Sequence, residues 1–270
     1  MRGRGCDPFQ PILLMSFFVF VLVLCIFPLF NLILSNIVIF ILQMNTVFFK
    51  NLGTVDFREA WDTQESLLKS IINDKRSSLP TNNYLLFCQH PHVYTLGKSG
   101  DKKHLLINET QLKKKDADFY KINRGGDITY HGPGQLVVYP IFDLDNFFTD
   151  IHKYLRFLEQ VVIEVLSNYG LVGERLAGST GVWISPKNKL ETHRKICAMG
   201  VRASRWVTMH GLAFNVNVDL EYFNNIVPCG IQNCGVTSLN KELKKNISLL
   251  EVESFFKQAF KNVFNVKLKE

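Results

Sequence analysis

A cysteine and a lysine are the side chains whose types and surroundings best suit covalent chemistry. Cys229 stands between Pro228 and Gly230, so we expect a turn that presents the thiol, whereas an inert cysteine is usually buried in a packed core. Lys195 enters an apolar, strand-like segment, where a buried ammonium group needs a partner or a lowered pKa. Taken alone, that segment favours a lysine at a strand end whose head reaches solvent.

Other uses of these cysteines have weaker support. Cys234 follows Cys229 by five residues, and a role as a resolving thiol stays open. A metal site that pairs the cysteines with His90 or His92 is also conceivable, but no Cys/His spacing here matches a zinc site.

The segment Arg124–Gln135 indicates a ligand-binding loop. It contains four glycines and one proline in twelve residues, which predicts an irregular backbone that can approach a ligand closely. Arg124, Thr129, Tyr130 and His131 would supply hydrogen-bond donors around it, and the alternative is a purely structural turn. The segment is neither a GxGxxG motif after a strand nor a P-loop, so it predicts no cradle for nucleotide phosphates. Gly211, within the strand-like segment Thr208–Asn217, similarly indicates close approach of a ligand or another backbone.

The elements that must position these residues alternate between helices and strands from Met44 onward. Apolar stripes predict three helices, namely one that Thr54 or Asp56 caps and that runs to about Arg76, one from Asp150 to Gly170, and one that begins at Ser248. Apolar runs and alternation predict strands at Val47–Leu52, Tyr84–Cys88, Val93–Leu96, Phe119–Ile122, Gln135–Phe142, Val182–Ser185, Lys195–Arg202 and Met209–Asn217. This order predicts one α/β (α+β) domain with a mixed, largely antiparallel central sheet flanked by helices.

Composition excludes several classes of protein. The 270 residues are 47% apolar and 20% charged, which excludes disordered and fibrous chains. The net charge is +7, but the sequence lacks the dense Lys/Arg clusters of a nucleic-acid binder. The positive charge fits a protein that docks on acidic partners. Because the six cysteines form no CxxC pair, we expect reduced thiols in a cytoplasmic protein.

The first 43 residues differ from the rest of the chain. No charged residue lies between Asp7 and Lys50, and 25 of the 31 residues in Ile12–Leu42 are Phe, Leu, Ile, Met or Val. Such a run is typical of a membrane anchor, or of a signal peptide, although no A-x-A cleavage site follows. A translated T-rich upstream stretch has the same composition, so we expect a mis-set start, with Met44 as the true start and 44–270 as the catalytic domain.

Five segments together resemble one family. They are His90–Gly97, Arg124–Gln135 with its RGG-x-x-TYHGPGQ pattern, Lys195–Arg202, His210–Asn217 and Pro228-Cys-Gly. The chain resembles the octanoyl-[acyl-carrier-protein]:protein octanoyltransferases, also called lipoyl(octanoyl) transferases, of lipoate synthesis. The resemblance implies a fold shared with biotin and lipoate protein ligases. It also implies that Cys229 forms an acyl-thioester intermediate and that Lys195 lowers the pKa of the thiol and relays protons.

The resemblance further implies the residues that bind the acyl chain and the partners that supply and receive it. The implied substrate-binding residues are Arg124, Gly125, Gly126, Asp127, Ile128, Thr129, Tyr130, His131, Ala198, Met199, Gly200, Gly211, Leu212 and Ala213. Met199 or Tyr94 is our candidate for closing the end of the pocket. The implied partners are octanoyl-acyl-carrier-protein, lipoyl domains of 2-oxoacid dehydrogenase complexes and the glycine-cleavage H-protein. We expect no requirement for ATP or a metal and no binding of nucleic acid. Contact with a membrane is expected only if residues 12–42 are a real anchor.

Two other functions remain open at this stage. An ATP-dependent lipoate or biotin protein ligase would also use a lysine but would need no cysteine. A membrane-tethered module that only binds lipoyl domains would leave the pairing of Cys229 with Lys195 unexplained.

Overall fold

Helices and strands alternate along the part of the chain that the computed structural model describes, which is residues 44–188, 191–227 and 235–270. The helices are α1 (Phe57–Arg76), α2 (Glu109–Lys114), α3 (Ile151–Ser167), α4 (Leu239–Leu243) and α5 (Leu249–Phe264). The strands are β1 (Asn45–Thr54), β2 (Asn83–Gln89), β3 (Val93–Leu96), β4 (Asp118–Lys121), β5 (Ile128–His131), β6 (Gln135–Ile141), β7 (Gly173–Leu176), β8 (Ser179–Ile184), β9 (Arg194–Ser204), β10 (Val207–Asn215), β11 (Gly235–Val236) and β12 (Val266–Lys269).

Two sheets organise these strands within one unit, Asn45–Glu270. The large sheet has the order β12-β1-β2-β6-β10-β9-β8-β7, with β11 paired to β9, and the small sheet has the order β4-β3-β5. Pairing is antiparallel through the centre of the large sheet, from β2 to β7, and parallel where β1 meets β12 and β2 and where β11 meets β9. The mixed, largely antiparallel sheet that the sequence predicts is therefore confirmed.

The large sheet is covered on both faces. Helices α3 and α5 pack against each other and bury the main core, which includes Leu85, Val138, Phe214 and Phe256. Helix α1 covers the opposite face and buries a second cluster that includes Leu68, Ile71 and Tyr139. No helix among the described residues is long and apolar enough to cross a membrane.

The predicted helix starts are confirmed, and side-chain caps explain two of them. Asp56 accepts hydrogen bonds from the backbone N–H groups at the start of α1, and Asp150 does the same for α3. Helix α5 begins after Ser248 as predicted, but the serine hydroxyl makes no capping bond. Helix α3 ends at Ser167, three residues before Gly170.

The irregular backbone predicted for all of Arg124–Gln135 is wrong in its middle. Residues Ile128–His131 form strand β5, which pairs antiparallel with Val93–Leu96. Hydrogen bonds to a distant strand thus override the local glycine signal. Strands β7, β11 and β12 and the short helices α2 and α4 also lacked a sequence prediction.

Candidate active site

An apolar cavity lies on the face of the large sheet that also packs against α1. The empty space within it is about 560 Å³, a figure that includes open solvent at its mouth. Its wall comprises Phe57, Ile122, Arg124, Gly126, Asp127, Ile128, Thr129, His131, Val137, Tyr139, Lys195, Ala198, Met199, Gly200, His210, Gly211, Leu212 and Ala213.

The cavity brings together most of the predicted site residues. All of the predicted substrate-binding residues except Gly125 and Tyr130 lie on its wall, and so does Lys195. The N–H group of Gly125 instead donates to the Val201 carbonyl at 2.9 Å, which ties the loop to β9. Tyr130 lies in a separate aromatic cluster, where its hydroxyl contacts His92 Nδ1 at 2.7 Å and its ring stacks on Tyr222.

The two candidates for the end of the pocket lie in different places. Met199 is on the cavity wall and is half-buried. Tyr94 is fully buried away from the cavity, and its hydroxyl donates to the Tyr222 carbonyl at 2.9 Å. Burial raises the pKa of Tyr94 to about 12, so this hydroxyl stays protonated. Tyr94 therefore contributes to the aromatic cluster and does not close the pocket.

Two glycines allow chain segments to approach each other at the cavity. A Cβ atom at Gly200 would lie 2.7 Å from the Gly125 carbonyl oxygen and 3.1 Å from Arg124 Cδ. A Cβ atom at Gly211 would collide with the Val138 carbonyl oxygen of β6. The close approach expected at Gly211 is thus an approach of another backbone.

Arg124 supplies a buried positive charge in the wall. Its guanidinium donates to the carbonyl and hydroxyl oxygens of Thr95 at 2.7 and 3.1 Å, and to the Gly125 carbonyl at 3.0 Å. These bonds connect the loop to strand β3. The same charge helps to keep two neighbouring histidines neutral. Burial, and to a lesser degree Arg124, lowers the pKa of His131 and of His210 to about 3.

A chain of hydrogen bonds with a fixed direction runs from the cavity wall into the core. The Gln135 Nε2 group donates to the Asn215 Oδ1 atom at 2.9 Å and to the Tyr130 carbonyl, so its Oε1 atom must accept from His131 Nδ1 at 2.8 Å. Asn215 Nδ2 then donates to the Thr237 carbonyl at 2.9 Å. The neutral His131 therefore carries its proton on Nδ1.

This chain ends beside Lys195. The N–H group of Thr237 donates to the Lys195 carbonyl at 3.0 Å, and Val236 is the parallel partner of Lys195 in the ladder between β11 and β9. The three residues that form this chain of hydrogen bonds, Gln135, Asn215 and Thr237, are almost completely buried. Since buried polar groups must be paired, the chain fixes the position of the Lys195 backbone relative to His131.

A β-bulge turns Lys195 toward the cavity. In the ladder between β8 and β9, Val182 pairs with Cys197 and Trp183 pairs with Lys195, so Ile196 is an extra residue. Ile196 and Cys197 both pack into the main core, and Lys195 therefore lies on the other face. Its half-buried side chain places Nζ 4.5 Å from the centre of the Trp183 ring. This cation–π geometry holds the ammonium group at the cavity wall.

Residues 228–234, which include Cys229 and Cys234, lie outside the described part of the chain. The described residues on either side are well anchored. The N–H group of Val227 donates to the His104 carbonyl at 2.9 Å, and that of Gly235 donates to the His193 carbonyl at 3.0 Å. The described cysteines, Cys88 and Cys197, are free and buried, and burial raises the pKa of both thiols.

Several wall residues were absent from the sequence-based site, namely Phe57, Ile122, Val137, Tyr139 and His210. The apolar members look like ordinary core residues in sequence, and only His210 lay in a segment that we had singled out. His90 is engaged within the protein, since its ring nitrogens lie 2.8 Å from the Val55 carbonyl and the Tyr139 hydroxyl. The described residues contain no group of three or more potential ligands that would hold a metal ion.

Comparison with known proteins defines the class of this fold and site. Residues 56–261 match the lipoyl protein ligase A/B catalytic domain. An octanoyltransferase of Christiangramia forsetii is 60% identical over 227 residues, which cover 82% of this chain and 96% of that protein. An octanoyltransferase of Flavobacterium johnsoniae is 62% identical over 200 residues, which cover 72% and 85% respectively.

Solved structures share the fold at much lower identity. A putative lipoate protein ligase of T. acidophilum is 18% identical with a TM-score of 0.61, covering 84% of this chain and 88% of that one. Lipoate-protein ligase A bound with ATP is also 18% identical, with a TM-score of 0.60 and the same coverage. The chain belongs to the lipoyl protein ligase A/B catalytic domain family. The fold shared with lipoate protein ligases and the expectation of an acyltransferase enzyme are confirmed.

Proposed function

We propose that this enzyme transfers an octanoyl group from octanoyl-acyl-carrier-protein to a lysine of lipoyl domains through a thioester on Cys229. The observation that carries the proposal is an apolar cavity with Lys195 on its wall, in a chain 60% identical to an octanoyltransferase. The acceptors would be lipoyl domains of 2-oxoacid dehydrogenase complexes and the glycine-cleavage H-protein. The cytoplasmic location expected from the cysteines is part of the same proposal.

The width of the cavity suits an eight-carbon chain. The wall runs from Lys195 on β9 across β10 to Val137 and Tyr139 on β6, and two strand spacings of about 4.8 Å give about 10 Å. Three bonds of an extended chain span about 3.8 Å, so the seven C–C bonds of an octanoyl group span about 9 Å. Each methylene buried against this wall contributes about 0.8 kcal/mol to binding.

The proposed reaction has two steps, and neither of them needs an external source of energy. The Cys229 thiolate attacks the carbonyl carbon of the donor thioester, and the carrier thiolate leaves and takes a proton from Lys195. The acceptor amine then attacks the thioester on Cys229, the amine proton passes to Lys195, and the Cys229 thiolate leaves. Thioester exchange is nearly isoenergetic and amide formation runs downhill, so the reaction needs neither ATP nor a metal.

The described geometry supports this role for Lys195. A free thiol has a pKa near about 8.5, and a nearby cation increases the thiolate fraction at neutral pH. Lys195 is half-buried on the wall, and its backbone is fixed by the buried chain of hydrogen bonds through Asn215. Strand β11, which begins six residues after Cys229, is the parallel neighbour of Lys195.

Mass spectrometry tests the thioester directly. The full chain is mixed with octanoyl-acyl-carrier-protein without ATP, and peptides are mapped before and after a lipoyl domain is added. We expect a hydroxylamine-labile octanoyl adduct on Cys229 that disappears as the lipoyl domain gains the amide. Cys229→Ser should form no such adduct, whereas the matched control Cys88→Ala, which removes a buried thiol, should keep it.

Three outcomes would contradict the proposal. Modification of the lipoyl domain only with ATP, and unchanged in Cys229→Ser, would identify an ATP-dependent ligase. Binding of the lipoyl domain without any transfer would identify a binding module. An adduct on another cysteine would refute the assignment of Cys229.

A further inference from the structure

The cavity has an open side and a closed end, and the burial of its wall tells them apart. Lys195, Ala198 and Met199 are half-buried and Gly126 is exposed, so the mouth lies along β9 and the loop before β5. At the opposite side, Val137 and Tyr139 of β6 and Phe57 of α1 are almost fully buried. A chain that enters beside Lys195 and crosses β10 therefore ends at Phe57.

The Phe57 ring is held rigidly in place. It stacks on Tyr120 at 5.3 Å between ring centres, lies parallel to His131 at 6.2 Å, and meets the edge of His90 at 5.4 Å. His90 in turn is fixed by its contacts with Val55 and Tyr139. Phe57 also begins α1 directly after the Asp56 cap, so its backbone cannot shift without loss of that cap.

We infer that the Phe57 side chain sets the maximum length of the acyl group that this enzyme accepts, an inference that rests on the proposed function. Contact energy alone favours longer chains, because two further buried methylenes improve binding roughly fifteenfold. Selection of an eight-carbon group therefore needs a wall that does not yield. Phe57, backed by His90 and Tyr120, provides that wall, whereas the half-buried Met199 packs against the main core and Tyr94 lies outside the cavity.

Shortening this side chain lengthens the pocket, and filling the middle of the pocket shortens it. Phe57→Leu removes ring volume at the closed end and keeps an apolar side chain. Ala213→Val adds two methyl groups on β10, at the point where the chain crosses the sheet. The two variants should therefore shift the preferred acyl length in opposite directions.

The test compares hexanoyl, octanoyl, decanoyl and dodecanoyl donors on the full-length enzyme with one lipoyl domain. For Phe57→Leu we expect the ratio of kcat/KM for decanoyl over octanoyl to increase at least tenfold. Ala213→Val should shift the preference to hexanoyl. The matched control is Phe256→Leu. The Phe256 ring packs between Phe87 and Phe214 in the main core, so this variant removes the same volume away from the cavity and should keep the wild-type length profile.

A second measurement separates this inference from the proposed function. Calorimetry with free octanoate and decanoate reports on the pocket without any transfer step, and Phe57→Leu should tighten decanoate binding relative to octanoate. A wild-type enzyme that transfers no octanoyl group would refute the proposed function. If the wild type transfers octanoyl groups and folded Phe57→Leu keeps the wild-type length profile and binding ratio, the role of Phe57 is refuted.

Discussion

Asn215→Asp should make the stability of this enzyme depend on pH in a way that reveals the direction of its buried hydrogen-bond chain. Asn215 accepts from Gln135 Nε2 through Oδ1 and donates to the Thr237 carbonyl through Nδ2, both at 2.9 Å. An aspartate of the same shape can still accept from Gln135. It can face the Thr237 carbonyl only when it keeps its proton, because two acceptors would otherwise meet.

The expected magnitude follows from proton linkage. Burial and the opposing carbonyl raise the folded-state pKa of the new carboxyl above its unfolded value of about 3.9. The folded state then binds more protons than the unfolded state, so stability is fully present below about pH 4 and is lost as the pH rises. The loss is at most about 1.4 kcal/mol per pH unit, which gives up to about 4 kcal/mol between pH 4 and pH 7. A domain is typically stable by about 5–15 kcal/mol, so this loss is large.

Urea unfolding of the wild type and Asn215→Asp at pH 4, 5, 6 and 7 measures the difference in the free energy of unfolding. Taking the difference at each pH removes the titrations that the two proteins share. The matched control is Asn262→Asp, an exposed position on α5 that adds the same charge and should show a difference independent of pH. A constant difference for Asn215→Asp would contradict a buried position 215 that faces the Thr237 carbonyl, since that carbonyl can only accept a hydrogen bond.

Two further predictions concern the wall of the cavity. The wild type should lose stability as the pH falls from about 6.5 toward 3, because the unfolded state protonates His131 and His210 while their folded pKa values are lowered to about 3. His210→Asn, whose side chain tolerates the positive φ of this position, should make urea unfolding measurably less sensitive to acid, and an unchanged slope would contradict the burial of this imidazole. Gly200→Ala should displace the loop at Gly125, because the new Cβ atom would meet its carbonyl oxygen at 2.7 Å. We expect weaker octanoate binding by calorimetry, and wild-type affinity in folded protein would show that the loop yields at no cost.

Local signals in the sequence predicted the three long helices and the short strands β3 and β4, but they missed β5, β7, β11 and β12 and the short helices α2 and α4. Asp56 and Asp150 cap helices because a carboxylate next to free N–H groups acts within a few residues. Strand β5 depends instead on pairing with Val93–Leu96, and β12 depends on pairing with β1. Such pairings join distant parts of the chain, and the sequences of these two strands did not reveal them.

The sequence indicated which segments line the candidate site, but not which apolar residues complete the cavity wall. The resemblance named the loop, Lys195 and the small residues of β9 and β10, and the structure brings these together. That Lys195 faces the cavity depends on the bulge opposite Trp183, which only the register of β8 and β9 reveals. Phe57 and Tyr139 have the pattern of core residues, and only the gap between α1 and the sheet makes them part of the cavity wall.

Under the proposed function, the polar groups in the wall would allow an apolar chain to be selected by its shape. Arg124 donates to Thr95 and Gly125, His131 donates to Gln135, and the His210 ring bonds to Asn123 at 3.0 Å. Because these groups already have partners within the protein, they demand no hydrogen bond from a ligand. If the cavity holds an acyl chain, as we propose, that chain would be distinguished chiefly by where it stops, and the side chain of Phe57 would then set the accepted length.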